Sequence, residues 1–334
     1  MTRKVVGEDL GTPRVDLVDH QVCVVSGYIT TGAMPKWVTK TKSNHEQYCR
    51  KNGYHYMFHR DCRVVNNEPE QGIVHRASCS KFYYLLEALE KGYTYVIWMD
   101  PDSIFATQKP IPDVGDEGYS IIICGDEATI YNGGHLLCKN DAKAKAFLKQ
   151  CITQTVTRLK IPMELKDLRL PITEGRGVFI NDMPNLISVL IGGQQCSAED
   201  RVRAYVSGVS DYRDKETSST KFYLQLSPIS KTRARRAQEL VSRDYRQVVC
   251  IKEQRFMNSY LLHGAREGIY TRGDWMIHIV GPDKRFLGGL FWYRVGKNWR
   301  YNVWLAVLMR YGVGLVNKLS GLKGEIRQVV RRME

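Results

Sequence analysis

The stretch Tyr95-Val-Ile-Trp-Met-Asp100-Pro-Asp102-Ser-Ile-Phe105 decides the fold. An apolar run stops at two carboxylates one residue apart and then turns apolar again. Buried as a core strand, Val96, Ile97 and Trp98 deliver Asp100 and Asp102 to the strand's C-terminal edge, where open α/β sheets bind their ligands. Two carboxylates fixed at such an edge are costly unless a cation or hydrogen-bond donors compensate them. A hard divalent ion with oxygen ligands, holding a phosphate-bearing molecule, is the natural partner. A solvated Asp-Pro-Asp turn is the plainer alternative for this segment taken alone.

Working outward, the flanks supply the rest of an α/β sheet. Residues 21–28 read as a buried strand, 36–51 as a helix terminated at Gly53, and Tyr54 to His59 as a second strand. Ser78 to Lys91 reads as a helix, with Phe82, Leu85, Leu86 and Leu89 at helical spacing and Gly92 just beyond. That helix feeds the Asp100/Asp102 strand, and strand–helix–strand–helix–strand order argues for a sheet of nucleotide-binding type. Further strands are expected at Tyr119 to Cys124, Gly134 to Cys138, Val248 to Ile251 and Trp275 to Val280, with a helix over Asp141 to Cys151. Residues 192–245 are more polar and read as an insertion carrying a basic helix around 230–243.

At 334 residues and 38.4 kDa, the chain suits one large α/β domain with embellishments. Its formal charge of +14 and pI of about 9.3 favour anionic partners. The nine cysteines include no C-x-x-C pair, so no zinc knuckle or thioredoxin-type site is expected and a reducing compartment is. Met1 to Asp19 is polar, and no apolar stretch of about 18 residues occurs, so neither a signal peptide nor a spanning helix is expected. The expected location is cytoplasmic. From Phe291 to Glu334, tryptophans and tyrosines intermix with basic residues, which suits a helical extension resting on a membrane or acceptor surface. A terminal helix packed on the domain accounts for the same pattern.

The second informative segment is Gly273-Asp-Trp-Met-Ile-His278-Ile-Val-Gly281-Pro-Asp-Lys284. Again a short apolar run ends in polar groups. The imidazole of His278 can complete the coordination of Mn²⁺, which tolerates mixed oxygen and nitrogen ligands. Gly281 allows backbone to approach a phosphate closely, and Lys284 supplies a mobile charge for it. Alone, His278 reads as a hydrogen-bonded core histidine. Set beside Asp100 and Asp102, it reads as a ligand.

These pieces together resemble glycosyltransferase family 34, the α-galactosyl- and α-xylosyltransferases of the GT-A fold. The resemblance runs in order through residues 20–290: Asn44 to Tyr54 with its closing Gly-Tyr pair, Ser80-Lys81 opening an apolar helix, and Ile97 to Ser103 as the Trp-x-Asp-x-Asp-Ser signature. Asn132-Gly133-Gly134 through Lys139-Asn140, Met257 to Tyr260, and Gly273 to Gly281 follow. The fold it implies is an α/β GT-A domain over 1–290, with a mixed central sheet flanked by helices, plus the 291–334 extension.

The resemblance implies metal-dependent transfer from a UDP-sugar to a glycan hydroxyl, with retention at the anomeric carbon and Mn²⁺ as the expected ion. By that carry-over Asp102 and His278 ligate the metal, and Asp100 shares ligation or holds the ribose. Val25, Ser26 and Gly27 hold the nucleotide base, Lys81 contacts the donor, Asn132 and Gly133 face the sugars, and Gly281 and Lys284 meet the diphosphate. Asp182 keeps the family's acidic residue at the start of the next helix, and with Asn132 and Lys81 it is expected to be catalytic. One position departs from the pattern: Met183 stands where an amide is expected beside the anomeric centre, and a thioether is only a weak acceptor. A front-face route without a covalent intermediate then becomes the more plausible one.

Two rival classes remain in view. A phosphotransferase of the haloacid dehalogenase type also begins at a strand with D-x-D, but it wants Thr or Val where Ile104 stands. A non-catalytic basic protein binding nucleic acid or membrane explains the charge and leaves Asp100, Asp102, His278 and Lys284 without a reason. Nucleic acid is not an expected partner.

Overall fold

The computed structural model describes residues 21–30, 32–63, 73–111, 118–126, 130–158, 182–194, 231–260, 270 and 273–279. Gly281, Lys284, Asn181, residues 195–230 and the 291–334 extension lie outside the described residues.

A six-stranded sheet forms the centre. Its strands are β1 (Val22–Gly27), β2 (His55–His59), β3 (Tyr95–Met99), β5 (Ile121–Asp126), β6 (Ile130–Lys139) and β7 (Val249–Lys252), in the order β2-β1-β3-β6-β5-β7. β1 pairs parallel with β2 and β3, and β5 parallel with β7, whereas β6 runs antiparallel to both its neighbours. The sheet is therefore mixed, as expected. β4 (Ser103–Phe105), β8 (Ser259–Tyr260) and β9 (Met276–His278) make a second, three-stranded sheet in the order β4-β9-β8.

Helices cover both faces. On one side α2 (Ile73–Glu90), α3 (Ala142–Arg158), α4 (Asp182–Gly192) and α5 (Lys231–Leu240) close over the larger core, which includes Phe82, Leu85, Val96, Trp98, Phe147, Leu186 and Leu190. Ala234, Ala237, Val241 and Tyr245 join the same core, so the described part of the 192–245 stretch is packed into the domain. On the other side α1 (Lys36–Asn52) and the small sheet bury Tyr48, Ile97, Met99, Phe105, Trp275 and Met276.

α1 buries Val38, Thr41, His45, Tyr48 and Cys49, one stripe at helical spacing, and stops at Gly53 with φ 70°, a left-handed conformation that favours glycine. Its inner face holds the small sheet in place. The Asn44 side chain accepts from the Phe105 N–H at 2.8 Å and donates to the Phe105 carbonyl at 3.2 Å. Tyr48 stacks on Phe105 with ring centroids 3.6 Å apart and accepts a 3.0 Å bond from the Trp275 indole. Eight cysteines among the described residues are free thiols, and burial pushes Cys23 and Cys138 up to about 12, as suits inert core groups.

Candidate active site

The site begins where β3 ends. Asp100, Pro101, Asp102 and Ser103 form a turn closed by the Ser103 N–H donating to the Asp100 carbonyl at 3.0 Å, with proline at the position where its fixed φ favours turning. The Asp100 N–H donates to the Gly134 carbonyl at 2.9 Å, tying the turn to β6. Beyond the turn, β4 runs antiparallel to β9 in a register that puts Ser103 opposite His278. The Ile279 N–H then donates to the Asp102 carbonyl at 2.9 Å. That short ladder brings two segments far apart in sequence together.

His278 Nε2 lies 3.3 Å from Asp102 Oδ1 and 4.0 Å from Asp100 Oδ2. One ligand atom from each of Asp100, Asp102 and His278 lies within 4.8 Å of the others, a grouping able to hold a metal ion. Burial works against the charged imidazole, but Asp102, then Asp100 and Asp126, outweigh it and hold His278 above the ordinary histidine range.

Asp100 divides its two oxygens. Oδ1 accepts from Trp98 Nε1 at 2.6 Å and from Lys81 Nζ at 3.1 Å, while Oδ2 faces His278. Lys81 is 2% exposed and reaches two further acceptors, Asp182 Oδ2 at 2.5 Å and the Gly133 carbonyl at 2.7 Å. Its three N–H bonds are thus taken up inside the protein. Desolvation opposes the ammonium, yet Asp100 and Asp182 together hold its pKa above the ordinary lysine value. Asp182 enters at the first turn of α4, its own N–H donating to Ser78 Oγ at 3.2 Å.

β6 bends to make room. Ile123 pairs with Leu136 but the next residue, Cys124, pairs with Asn132, so Gly133, Gly134 and His135 bulge from the ladder with β5. The two glycines look in different directions. A Cβ on Gly133 would meet Met183 Sδ at 2.8 Å and Asp182 Oδ2 at 3.0 Å, whereas one on Gly134 would meet His278 Cε1 at 2.7 Å, Asn132 Oδ1 at 2.9 Å and Asp100 Oδ2 at 3.1 Å. A side chain at Gly134 would have to displace groups of the site itself, whereas at Gly133 the nearest obstacle is the yielding end of Met183. His135 is fully buried, its ring edge-on to His278 at 5.1 Å, and neither ring nitrogen has a hydrogen-bond partner among the described residues. Burial first, and His278 second, hold it well below the usual histidine range.

Of the residues expected from sequence, Asp100, Asp102, His278, Lys81, Asp182, Asn132 and Gly133 come together. Val25 is buried in the core opposite Trp98, and Ser26 is likewise buried, which leaves the half-buried Gly27 at the β1 terminus, beside the His59 carbonyl.

Sequence reading missed Asp126, at the end of β5. Its Oδ2 accepts from Tyr260 Oη at 2.5 Å, Asn132 Nδ2 at 2.8 Å and Asn258 Nδ2 at 3.3 Å. The signal available was faint: one acid closing an apolar strand, with partners 132 and 134 residues away.

No family model matches this chain, and no curated protein matches it. A solved structure described as "Crystal structure of a glycosyltransferase involved in the glycosylation of the major capsid of PBCV-1" is similar to it, with a TM-score of 0.45 and 14% identity, covering 80% of this chain and 97% of that one. A likeness of that degree carries no weight on activity.

Proposed function

We propose that this chain is a metal-dependent glycosyltransferase of the family 34 type, moving galactose, xylose or a similar sugar from a UDP-sugar to a glycan hydroxyl with retention. The observation that carries the reading is the β4–β9 ladder, which sets His278 Nε2 3.3 Å from Asp102 and beside the second oxygen of Asp100. The donor set, two carboxylates and one imidazole, fits Mn²⁺. Bound there, the ion would supply Lewis-acid neutralisation of the charge that develops on the leaving diphosphate.

The remaining residues position. Lys81 spends its donors on Asp100, Asp182 and Gly133, so its part is to lock the D-x-D turn to α4 and the bulge rather than to reach the donor. Asn132 gives its amide N–H to Asp126 and its oxygen accepts from the Gly134 N–H, which fixes the glycine pair proposed to lie beneath the sugar. Asp182 is engaged by Lys81 and Met183 offers only a thioether, so neither is a ready nucleophile. Transfer is assigned to a front-face route: the acceptor hydroxyl bonds to the anomeric carbon as the bond to the diphosphate breaks, and its proton passes to the departing phosphate oxygen. The Gly27 terminus of β1 offers backbone to the nucleotide base. Gly281 and Lys284 are proposed to meet the diphosphate, and the 291–334 segment to rest on a membrane or acceptor surface. Among the described residues no helix is long and apolar enough to cross a membrane.

The test is UDP release from UDP-galactose, UDP-xylose and UDP-glucose by the full chain. Release that requires Mn²⁺ and is lost with chelator and in Asp102→Asn supports the proposal. Equal release with chelator, or none from any donor while Mn²⁺ binds, overturns it.

A further inference from the structure

The carboxylate of Asp126 sits at the end of β5, outside the D-x-D segment, and is 2% exposed. Three donors converge on its Oδ2: Tyr260 from β8, Asn132 from β6 and Asn258 from the residue before β8. A carboxylate only accepts hydrogen bonds, so the group that Asn258 turns toward it must be the amide nitrogen. The amide oxygen of Asn258 then has one place to go, and it lies 2.8 Å from His278 Nδ1. An oxygen there requires the proton on Nδ1. In the neutral ring Nε2, which faces Asp102 and Asp100, is then left with its lone pair.

We infer that Asp126 is a positioning residue: acting through Asn258, it fixes His278 in the Nδ1–H tautomer, so that Nε2 is presented toward Asp102 as a ligand. The inference rests on reading Asp100, Asp102 and His278 as a metal site and adds to it the device that keeps the site's nitrogen available. Outer partners of metal-bound histidines act in this way, and their loss costs about 10–100-fold in metal affinity. Here the partner is an amide whose orientation is imposed by a carboxylate one step further out. The same carboxylate, through Asn132 and the 2.8 Å bond from the Gly134 N–H to Asn132 Oδ1, also holds the glycine whose lack of a Cβ leaves room for His278 Cε1. Tyr260 lies opposite His278 in the parallel pairing of β8 with β9, so both arms of the cluster end at the same imidazole.

Replacing Asp126 with Leu removes the shared acceptor at about constant size. Nothing then holds the Asn258 amide nitrogen on that side. Asn258 can turn its N–H₂ toward His278 Nδ1, and the ring proton moves to Nε2, where it blocks a ligand position. Removing the relay with Asn258→Ala leaves Nδ1 without its acceptor and favours an Nε2–H donating to Asp102.

The experiment is long-range ¹H–¹⁵N spectroscopy of the metal-free full chain, in solution basic enough to keep His278 neutral, with Mn²⁺ titrated calorimetrically into the same proteins. The Nδ1–H form is expected in the wild type. A shift toward Nε2–H and a loss of about 10–100-fold in Mn²⁺ affinity are expected in Asp126→Leu and Asn258→Ala. Asp274→Asn, which breaks the ion pair with Arg255 just before β9, is expected to lower stability while the tautomer stays put. An Nε2–H wild type, or Asp126→Leu and Asn258→Ala variants with tautomer and affinity unchanged, overturns the inference. If Asp126→Leu does not fold, Asn258→Ala decides. A tautomer that moves as expected in a protein that never binds Mn²⁺ sinks the metal reading and leaves the relay standing. Mn²⁺ binding with an unmoved tautomer sinks the relay alone.

Discussion

Two halves of one site, a few ångströms apart, are built on opposite principles. On the α2 side, Lys81 stands between Asp100 and Asp182 and also reaches the Gly133 carbonyl, so the ammonium and both carboxylates are matched within the protein. On the β9 side, Asp102 and the lone-pair face of His278 meet at 3.3 Å as two acceptors, which only a proton or a cation reconciles. Asp100 belongs to both, one oxygen to each. The first half is a scaffold complete in itself. The second, on the proposed reading, is completed by a cation.

The largest effect expected from that contrast is on stability, on the scaffold side. Lys81→Met should leave the buried Asp182 and the partly exposed Asp100 without their cation and cost about 3 kcal/mol, measured by denaturant unfolding, with no rescue by Mn²⁺. A loss comparable to an ordinary surface substitution would erase the distinction between the halves. On the other side, Asp102→Asn should leave the fold standing and weaken Mn²⁺ binding by at least about 100-fold, beyond what outer partners contribute. Calorimetric titration reads this directly.

The histidines sharpen the comparison through pH. His45, on the buried face of α1 with Nε2 2.8 Å from the Ser103 carbonyl, is lowered by burial to about 4. A group with a depressed folded pKa contributes stability fully above the unfolded value near 6.5, and that contribution disappears as pH falls toward about 4. The loss is about 3 kcal/mol, and stability curves for His45→Gln should be flatter across that window. His278 runs the other way. Its folded pKa is raised, so in metal-free protein its pairing with Asp102 stabilises below the unfolded value and is lost as pH rises through the folded one. Mn²⁺, which needs the neutral ring, should bind more tightly over that same rise.

The smallest effects expected separate the adjacent glycines. Gly134→Ala should crowd His278 and Asp100, lowering stability by about 1–3 kcal/mol and weakening Mn²⁺ binding. Gly133→Ala presses on the flexible end of Met183 and on Asp182, and should disturb α4 while Mn²⁺ affinity holds. Equal loss of metal affinity in both variants would mean the halves are not separable.

Much of this was legible in the chain. The apolar run ending at Asp100 gave β3 and the direction of its acids, and the run around Met276 to Val280 gave β9, because apolar runs bounded by polar groups show in sequence. The three residues of β4 follow directly on the turn and β8 has only two, so neither stands out as a strand, yet β4 is what carries His278 to Asp102. Asp126 was invisible for a different reason: its role is set by donors from β6 and from the 258–260 segment, and nothing in Gly125-Asp126 records them. The bulge at Gly133, Gly134 and His135 also lies beyond pattern reading, since the glycines announce close approach but not which neighbour approaches.

The most direct test is anomalous diffraction from crystals of the full chain grown with Mn²⁺ and UDP. The proposed function predicts a single strong peak bonded to Asp102 and to His278 Nε2, with Asp100 Oδ2 beside it and the diphosphate on its open side. A peak elsewhere, or none at these residues while UDP is bound, would contradict the account.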